Sequence, residues 1–283
     1  MRINMYYTAL VAVSLTSGYI VASKYSPLWV AAMIGAGLGY GALSPVLHAR
    51  RLLFLAGASP HAALAAASIA TIAAYKFGVD YSIASLMIGA LLIYIAGYMN
   101  YRGVDPDVSA SILASLSSAL GVLALYYAFN MGVSGVSAII VGDPLLASNE
   151  DALIALGFGV LIALVSLVGA LEYMYVGLDP EDARLSGARV WFYDLILYTT
   201  LAVATVGMIR IVGFILEHVL LLLPGAIAVA VSRGARLSVI SGGFIGLSTS
   251  LLGLVIGIYV DAPPPAITGL ILVLWYSMLW YKR

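Results

Sequence analysis

The sequence predicts an all-α membrane protein, a polytopic bundle of about ten transmembrane helices that forms a single domain over residues 1–283. Composition is the first observation behind this prediction: 63% of the 283 residues are hydrophobic, and the charged residues number only 13 Lys or Arg and 13 Asp or Glu. The second is a mean hydropathy of +1.07, far above that of a soluble domain. The third is that apolar runs of about 20 residues, long enough to cross a bilayer, recur along the whole chain.

Short breaks rich in Gly, Pro, Ser and Asp separate the apolar runs and set the predicted helix bounds. The first run has no clear small-residue cleavage site and is followed at once by more apolar sequence, so we interpret it as a retained helix. A short helix at the membrane surface is expected around 137–146, in the longest weakly apolar connection. The ten predicted spans are 5–23, 27–48, 53–75, 81–101, 107–130, 151–175, 190–208, 212–231, 237–260 and 263–281.

Charge and cysteine content narrow the possible functions. The formal net charge is zero, which gives no indication of nucleic-acid binding. The chain has no cysteine, so disulfides, iron–sulfur clusters and thiolate metal sites are excluded.

The basic residues predict the orientation of the chain, because cytoplasmic loops carry an excess of Lys and Arg. With the N-terminus inside, only Lys24, Lys76 and Arg210 lie on the outer side. The sequence therefore predicts a multi-pass protein of the cell membrane with both termini in the cytoplasm. The ten basic residues on the cytoplasmic side are Arg2, Arg50, Arg51, Arg102, Arg184, Arg189, Arg233, Arg236, Lys282 and Arg283.

The densest cluster of charge lies between the sixth and seventh predicted spans and predicts a short capped helix over 179–187. Asp179 is a suitable N-cap, and Pro180 suits the first helical position. Glu181 places negative charge in the first turn and Arg184 places positive charge near the last. Gly187 favours the left-handed turn that ends a helix. The orientation above puts this helix in the cytoplasm, where it is available to a partner protein.

Three ionisable residues fall within predicted spans and are candidates for a metal path: His61, Glu217 and His218. Such groups are costly in a membrane and tend to face a cavity or one another. Imidazole and carboxylate suit Zn, Mn or Fe(II). Glu217 and His218 are adjacent and point about 100° apart on a helix, so both face one site only after local unwinding. The favoured interpretation is that His61 hydrogen-bonds a neighbouring helix and Glu217 lies near the outer interface.

Two further acids, Glu172 and Asp194, flank the capped helix. We expect them to be solvated or paired with Arg184 or Arg189. His48 is expected at the membrane interface.

The stretch Gly132-Val133-Ser134-Gly135 has the form of an intramembrane serine protease motif, which needs a His to activate the Ser. It falls in a predicted outer connection with no His aligned to it. A turn is the favoured interpretation.

Several stretches together resemble the permease subunits of zinc, manganese and iron ABC importers, the metal ABC-3 permeases. The likeness covers about 27–281 and is strongest from 140 onward. Two departures stand in the first stretch, where Ala58 replaces an Asp of the family and Pro60 replaces a Ser, and they weaken a metal role for that helix. The stretches are R-R-L-L-F-L-A-G-A-S-P-H-A-A-L (50–64), V-G-D-P-L-L-A-S-N-E-D (141–151), V-G-L-D-P-E-D-A-R-L-S-G (176–187), R-I-V-G-F-I-L-E-H-V-L-L-L-L-P-G-A-I-A (210–228) and G-L-S-T-S-L-L-G-L-V-I-G-I-Y-V-D-A-P-P-P-A (246–266).

The resemblance implies the importer permease fold of the metal and cobalamin type and a non-enzymatic subunit that moves a divalent Zn, Mn or Fe ion. It implies two copies of the permease, P-loop ATPases on the cytoplasmic side, and an extracytoplasmic metal-binding protein. The chain has no P-loop motif, so ATP is expected on the partner chain and no cofactor on this one. The resemblance assigns ATPase coupling to Asp179, Pro180, Glu181, Ala183, Arg184 and Gly187.

Other functions stay open on the sequence. A siderophore- or cobalamin-type ABC permease has a similar helix plan in a longer chain. A secondary transporter would show an inverted repeat with broken midplane helices.

Overall fold

The computed structural model describes residues 2–133, 144–146 and 148–281. Within these ranges the chain forms eleven α-helices and one 3-10 turn, Pro144–Leu146, and no strand. Eight of the described helices are long and apolar enough to cross a membrane, and α11 is a shorter apolar helix. The helices are α1 (Arg2–Lys24), α2 (Pro27–Ala49), α3 (Leu53–Phe77), α4 (Tyr81–Tyr101), α5 (Pro106–Asn130), α6 (Asn149–Val168), α7 (Ala170–Leu178), α8 (Pro180–Leu185), α9 (Val190–Val231), α10 (Ala235–Val260) and α11 (Pro264–Tyr281).

The predicted all-α membrane bundle is confirmed, and every predicted apolar span is helical. Two boundaries differ from the prediction. The span predicted over 151–175 is divided at Gly169 into α6 and α7, and the spans predicted over 190–208 and 212–231 are joined in α9. Of the surface helix expected at 137–146, only the 3-10 turn at its end lies in the described part of the chain.

Helix α9 is a hairpin of two membrane passes that reverses at Gly213, where φ is 72° and ψ is 164°. Its first half starts beside α2, with Asp194 paired to Arg50. Its second half returns to the same level, where the Gly225 N–H donates to the Ser44 hydroxyl at 2.8 Å. A straight helix from 194 to 225 would be about 46 Å long, whereas Ser44 and Arg50 are only about 9 Å apart along α2.

Helix α2 lies at the centre of the bundle, and its glycines allow close approach of α6 and α10. A Cβ added at Gly37 would lie 2.6 Å from the carbonyl oxygen of Gly246 on α10. A Cβ added at Gly35 would lie 2.2 Å from the carbonyl oxygen of Ala155 on α6. Small residues at such crossings increase van der Waals contact between helices in lipid.

Hydrogen bonds between side chains join the outer helices to this centre. Helix α1 is tied to α10 by Ser14 and Ser248, whose hydroxyl oxygens are 2.9 Å apart. Helix α4 is tied to the first half of α9, where the Asn100 amide donates to the Tyr198 hydroxyl at 3.0 Å. Each such bond between membrane helices contributes about 0.6 kcal/mol.

The bundle has two ends, and we name each end after an arginine that lies there. The Arg50 end carries Arg50, Asp194 and α8, and the Arg210 end carries Arg210, which stacks over the Tyr81 ring at 5.0 Å. Successive passes alternate in direction between these ends. Most described basic residues outside the helix interiors therefore lie at the Arg50 end.

Candidate functional site

The short helix α8 is built as its sequence predicts. The Asp179 carboxylate accepts hydrogen bonds from the backbone N–H groups of Glu181 and Asp182, both at 3.0 Å, and Pro180 occupies the first helical turn. At the other end Gly187 has φ 85°, and the Ala188 N–H donates to the Ala183 carbonyl at 2.9 Å. This left-handed ending satisfies a carbonyl that the helix leaves free.

Helix α8 is held firmly against its two neighbours. Ala183 is fully buried and packs with Val176 of α7 and Val190 of α9. The Tyr175 hydroxyl donates to the Asp182 carboxylate at 2.8 Å, so this acid links α8 to α7. Helix α8 is therefore in direct contact with both α7 and α9.

Four exposed side chains on and beside α8 form a surface with both charged and apolar groups. We call it the α8 surface; it consists of Leu178, the last residue of α7, and of Glu181, Arg184 and Leu185. All four side chains are exposed, and Leu185 is 87% exposed. Large apolar side chains flanked by opposite charges at a rigid, exposed position are typical of a contact for another protein.

Asp194 is paired with Arg50 at the end of α2, and not with Arg184 or Arg189 as the sequence analysis expected. The side chains of Arg50 and Asp194 are 10% and 22% exposed. The reason is topological: the start of α9 packs against the end of α2, so a residue distant in sequence is nearer than those in the adjacent loop. Arg51 is exposed and adopts φ 55°, which directs the chain into α3.

The structure brings His61 and His218 together within the membrane bundle. Their ring centroids are 5.6 Å apart, and both rings contact the ring of Phe214. The Nδ1 atom of His61 lies 3.0 Å from the Ser118 hydroxyl, and Nδ1 of His218 lies 2.9 Å from the Phe214 carbonyl oxygen. A carbonyl only accepts, so the His218 Nδ1 is the donor of this hydrogen bond and Nε2 is the ring nitrogen left for other contacts.

Glu217 points away from this histidine pair. Its side chain is fully buried, and within the described ranges neither carboxylate oxygen has a hydrogen-bond partner. The Tyr40 phenol on α2 is close enough to interact with it electrostatically. No group of three His, Asp or Glu able to hold a metal is found among the residues that the structure describes. His61 and His218 therefore form a pair without the acid.

A cavity of about 790 Å³ lies beneath the histidine pair, on the side of the Arg50 end. Its lining includes Ala58, Ser115 and Leu222, which precede or follow His61, Ser118 and His218 by one helical turn. Sequence reasoning did not find this open cavity, because five helices distant in sequence line it: α2, α3, α5, α9 and α11. The departure from the family at Ala58 could have indicated it, since a small side chain leaves space. Other lining residues are His48, Gly57, Ala114 and Tyr276.

The stretch 132–135, considered above as a serine protease motif, cannot be placed, because Ser134 and Gly135 lie outside the described residues. His48 lies near the Arg50 end, where its Nδ1 is 2.9 Å from the Ser44 carbonyl oxygen.

A polytopic helical bundle with a rigid charged helix at one end, a cavity, and a histidine pair within the membrane has the form of a transport protein. The chain belongs to the ABC 3 transport family, whose model matches residues 25–282. The match begins after α1. This membership confirms the resemblance carried by the five stretches.

Curated relatives and solved structures agree with this membership. The chain is 26% identical over 222 residues to the manganese import system permease protein ScaB of Streptococcus gordonii, covering 78% of each chain. It is 22% identical over 263 residues to the manganese transport system membrane protein MntC of Halalkalibacterium halodurans, covering 93% of this chain and 88% of that one.

The fold is similar to PsaBC from Streptococcus pneumoniae in complex with Fab, with a TM-score of 0.78 and 22% identity over 94% of this chain and 95% of that one. It is also similar to an inward-facing metal-chelate type ABC transporter, with a TM-score of 0.73 and 16% identity over 99% and 100%. The predicted importer permease fold is confirmed.

Proposed function

We propose that this chain is the membrane permease subunit of an ATP-driven importer for a divalent metal ion, with Mn, Zn or Fe as its cargo. The α8 surface is the observation that carries the proposal. A transport subunit that leaves ATP hydrolysis to another chain needs a rigid contact that transmits force, and α8 is capped at both ends and packed between two helices. The manganese and metal transport names of the relatives support the cargo class.

The proposed assembly contains two copies of this chain, two P-loop ATPases against the α8 surfaces, and an extracytoplasmic metal-binding protein. The Arg50 end is then cytoplasmic, as are the termini. ATPase closure displaces α8, α7 and α9 follow, and access to the cavity changes from one side of the membrane to the other.

The histidine pair is a suitable transient site for the cargo. Two imidazole nitrogens that each bind a metal ion at about 2.1 Å bring their ring centres to roughly 5–6 Å apart. The ring separation of 5.6 Å meets this requirement. Two neutral ligands bind weakly, as a transport path requires, since the ion must also leave. Glu217 has no place in this site unless its helix unwinds.

The first test is whether the ATPase encoded beside this chain's gene copurifies with it and is released by Glu181→Lys with Arg184→Glu. The double exchange keeps the net charge and leaves Ala183 buried, so the fold is retained while both exposed charges repel their partners. We expect loss of the ATPase and loss of ATP-dependent Mn(II) uptake. The measurement is copurification in detergent followed by uptake in proteoliposomes.

Asp107→Lys with Arg102→Glu is the matched control, because it exchanges the same two charges on exposed residues at the same end of the bundle, away from α8. This control should retain the ATPase. Full uptake by the α8 variant, or equal loss in both variants, would contradict the proposal.

A further inference from the structure

In the part of the chain that the structure describes, only one nitrogen of the Arg50 guanidinium has a hydrogen-bond partner, although the side chain is largely buried. One guanidinium nitrogen donates to the Asp194 carboxylate, whereas Nε and the other terminal nitrogen are buried and have no hydrogen-bond partner among the described residues. A guanidinium carries five N–H donors, and buried donors are nearly always bonded. Arg50 therefore retains unused donors inside the protein.

Glu172, on the neighbouring helix α7, has an unused hydrogen-bond acceptor. Its Oε2 atom is buried and has no hydrogen-bond partner within the described part of the chain. Glu172 stands one turn before Val176, on the face of α7 that packs toward Val190 of α9. Arg50 itself lies against the end of α7, where a Cβ at Gly177 would be 3.2 Å from the Arg50 Cα atom. The Arg50 guanidinium is bonded to one carboxylate, Asp194 of α9, and a second carboxylate with a buried oxygen lies on the neighbouring helix α7.

In the sequence, one of these carboxylates precedes α8 and the other follows it. Helix α7, which carries Glu172, leads directly into α8, and α9, which carries Asp194, leads away from it. Arg50 belongs instead to α2, the central helix, and the end of α2 touches α7 closely: a Cβ at Gly177 would lie 2.0 Å from the Ala49 carbonyl oxygen. A displacement of α8 therefore changes the position of both carboxylates relative to Arg50.

We propose that Arg50 exchanges its carboxylate partner between Asp194 and Glu172 when α8 moves, and that this exchange transmits the movement to α2. The inference rests on the proposed function of α8 as the ATPase contact. Removing the partner of a buried charge is strongly destabilising, so Arg50 leaves Asp194 only where another carboxylate takes its place. The present structure shows the Asp194-bound state.

The first experiment measures the exchange in the isolated permease. The chain has no cysteine, so Leu53→Cys with Leu178→Cys gives one pair of spin labels, on exposed residues at the start of α3 and the end of α7. Asp194→Asn and Glu172→Gln each remove one charged partner. We expect the two variants to shift the ratio of two distance populations in opposite directions, each by about tenfold. A distribution that Asp194→Asn leaves unchanged would overturn the proposal, because Arg50 would then have lost its partner without moving to Glu172.

The second experiment uses charge reversal in the complex with its ATPase. Arg50→Asp with Asp194→Arg restores an ion pair between α2 and α9, so thermal stability should return in either case. Partner exchange predicts that Mn(II) uptake stays low, because the carboxylate at position 50 is repelled by Glu172, and that adding Glu172→Lys restores it. Full uptake by the double variant would overturn the exchange.

These outcomes are separable from failure of the proposed function. The spin-label distances need no ATPase, so they test the exchange even if no ATPase binds α8. Conversely, loss of the ATPase on changing Glu181 and Arg184 tests the docking role even if Arg50 keeps one partner.

Discussion

At the scale of the residue, the proposed cargo site at His61 and His218 would offer a transported ion two nitrogen ligands. We expect His61→Ala and His218→Ala each to lower Mn(II) uptake by about tenfold at limiting ion concentration, the effect of losing one weak ligand worth about 1.4 kcal/mol. The ATPase activity of the complex should persist. The measurement is initial uptake rate against ion concentration in proteoliposomes.

Phe214→Leu is the control for this prediction, because Phe214 packs on both imidazole rings but offers no ligand from its side chain. If Phe214→Leu lowers uptake as much as the histidine variants, packing and not ligation explains the effect.

Single residues also define how much of the site the sequence could predict. The cap at Asp179 and the turn at Gly187 follow from local backbone chemistry, so α8 was predictable to within two residues. The partner of Asp194 was not, because the approach of Arg50 depends on how α2 and α9 pack. The separation of His61 from His218 was likewise fixed only by the reversal of α9.

At the scale of the element, the reversal of α9 depends on Gly213. Its φ of 72° with ψ of 164° falls in a region that is essentially restricted to glycine. We expect Gly213→Ala to destabilise the fold by about 1–3 kcal/mol, the cost of such backbone strain. A lower midpoint of thermal unfolding in detergent is the measurement.

Gly157→Ala is the matched control, since Gly157 lies within α6 and a Cβ there would meet no atom within 4 Å. It should be neutral or stabilise the helix by up to about 1 kcal/mol. Equal destabilisation by both substitutions would show that the conformation at Gly213 is not the cause.

The hydrophobic pattern of the sequence predicted the membrane spans but not how neighbouring spans are joined or divided. Apolar length identified every span, because a bilayer sets a fixed requirement. It could not show that the two passes of α9 are joined without a loop. The reversal uses a single glycine, so no polar stretch marks it in the composition. It also could not place the break at Gly169, which occurs within a run that stays apolar.

At the scale of the whole molecule, the proposed orientation places α8 inside the cell and the Arg210 end outside. The cysteine-free chain allows a direct check in intact cells. We expect Val79→Cys to react with a membrane-impermeant maleimide added outside, and Leu185→Cys to react only after the cells are opened. Both residues are exposed in the structure. The reverse pattern would place the α8 surface out of reach of cytoplasmic ATPases.

The joined passes of α9 have a consequence for biosynthesis. Because one residue makes the reversal, no hydrophilic loop separates the two passes, and the tip carries a charge at Arg210 that must cross the bilayer. The two arms are therefore expected to enter the bilayer together. A ribosome that stalls just after Gly213 leaves the first arm without the helix that packs against it.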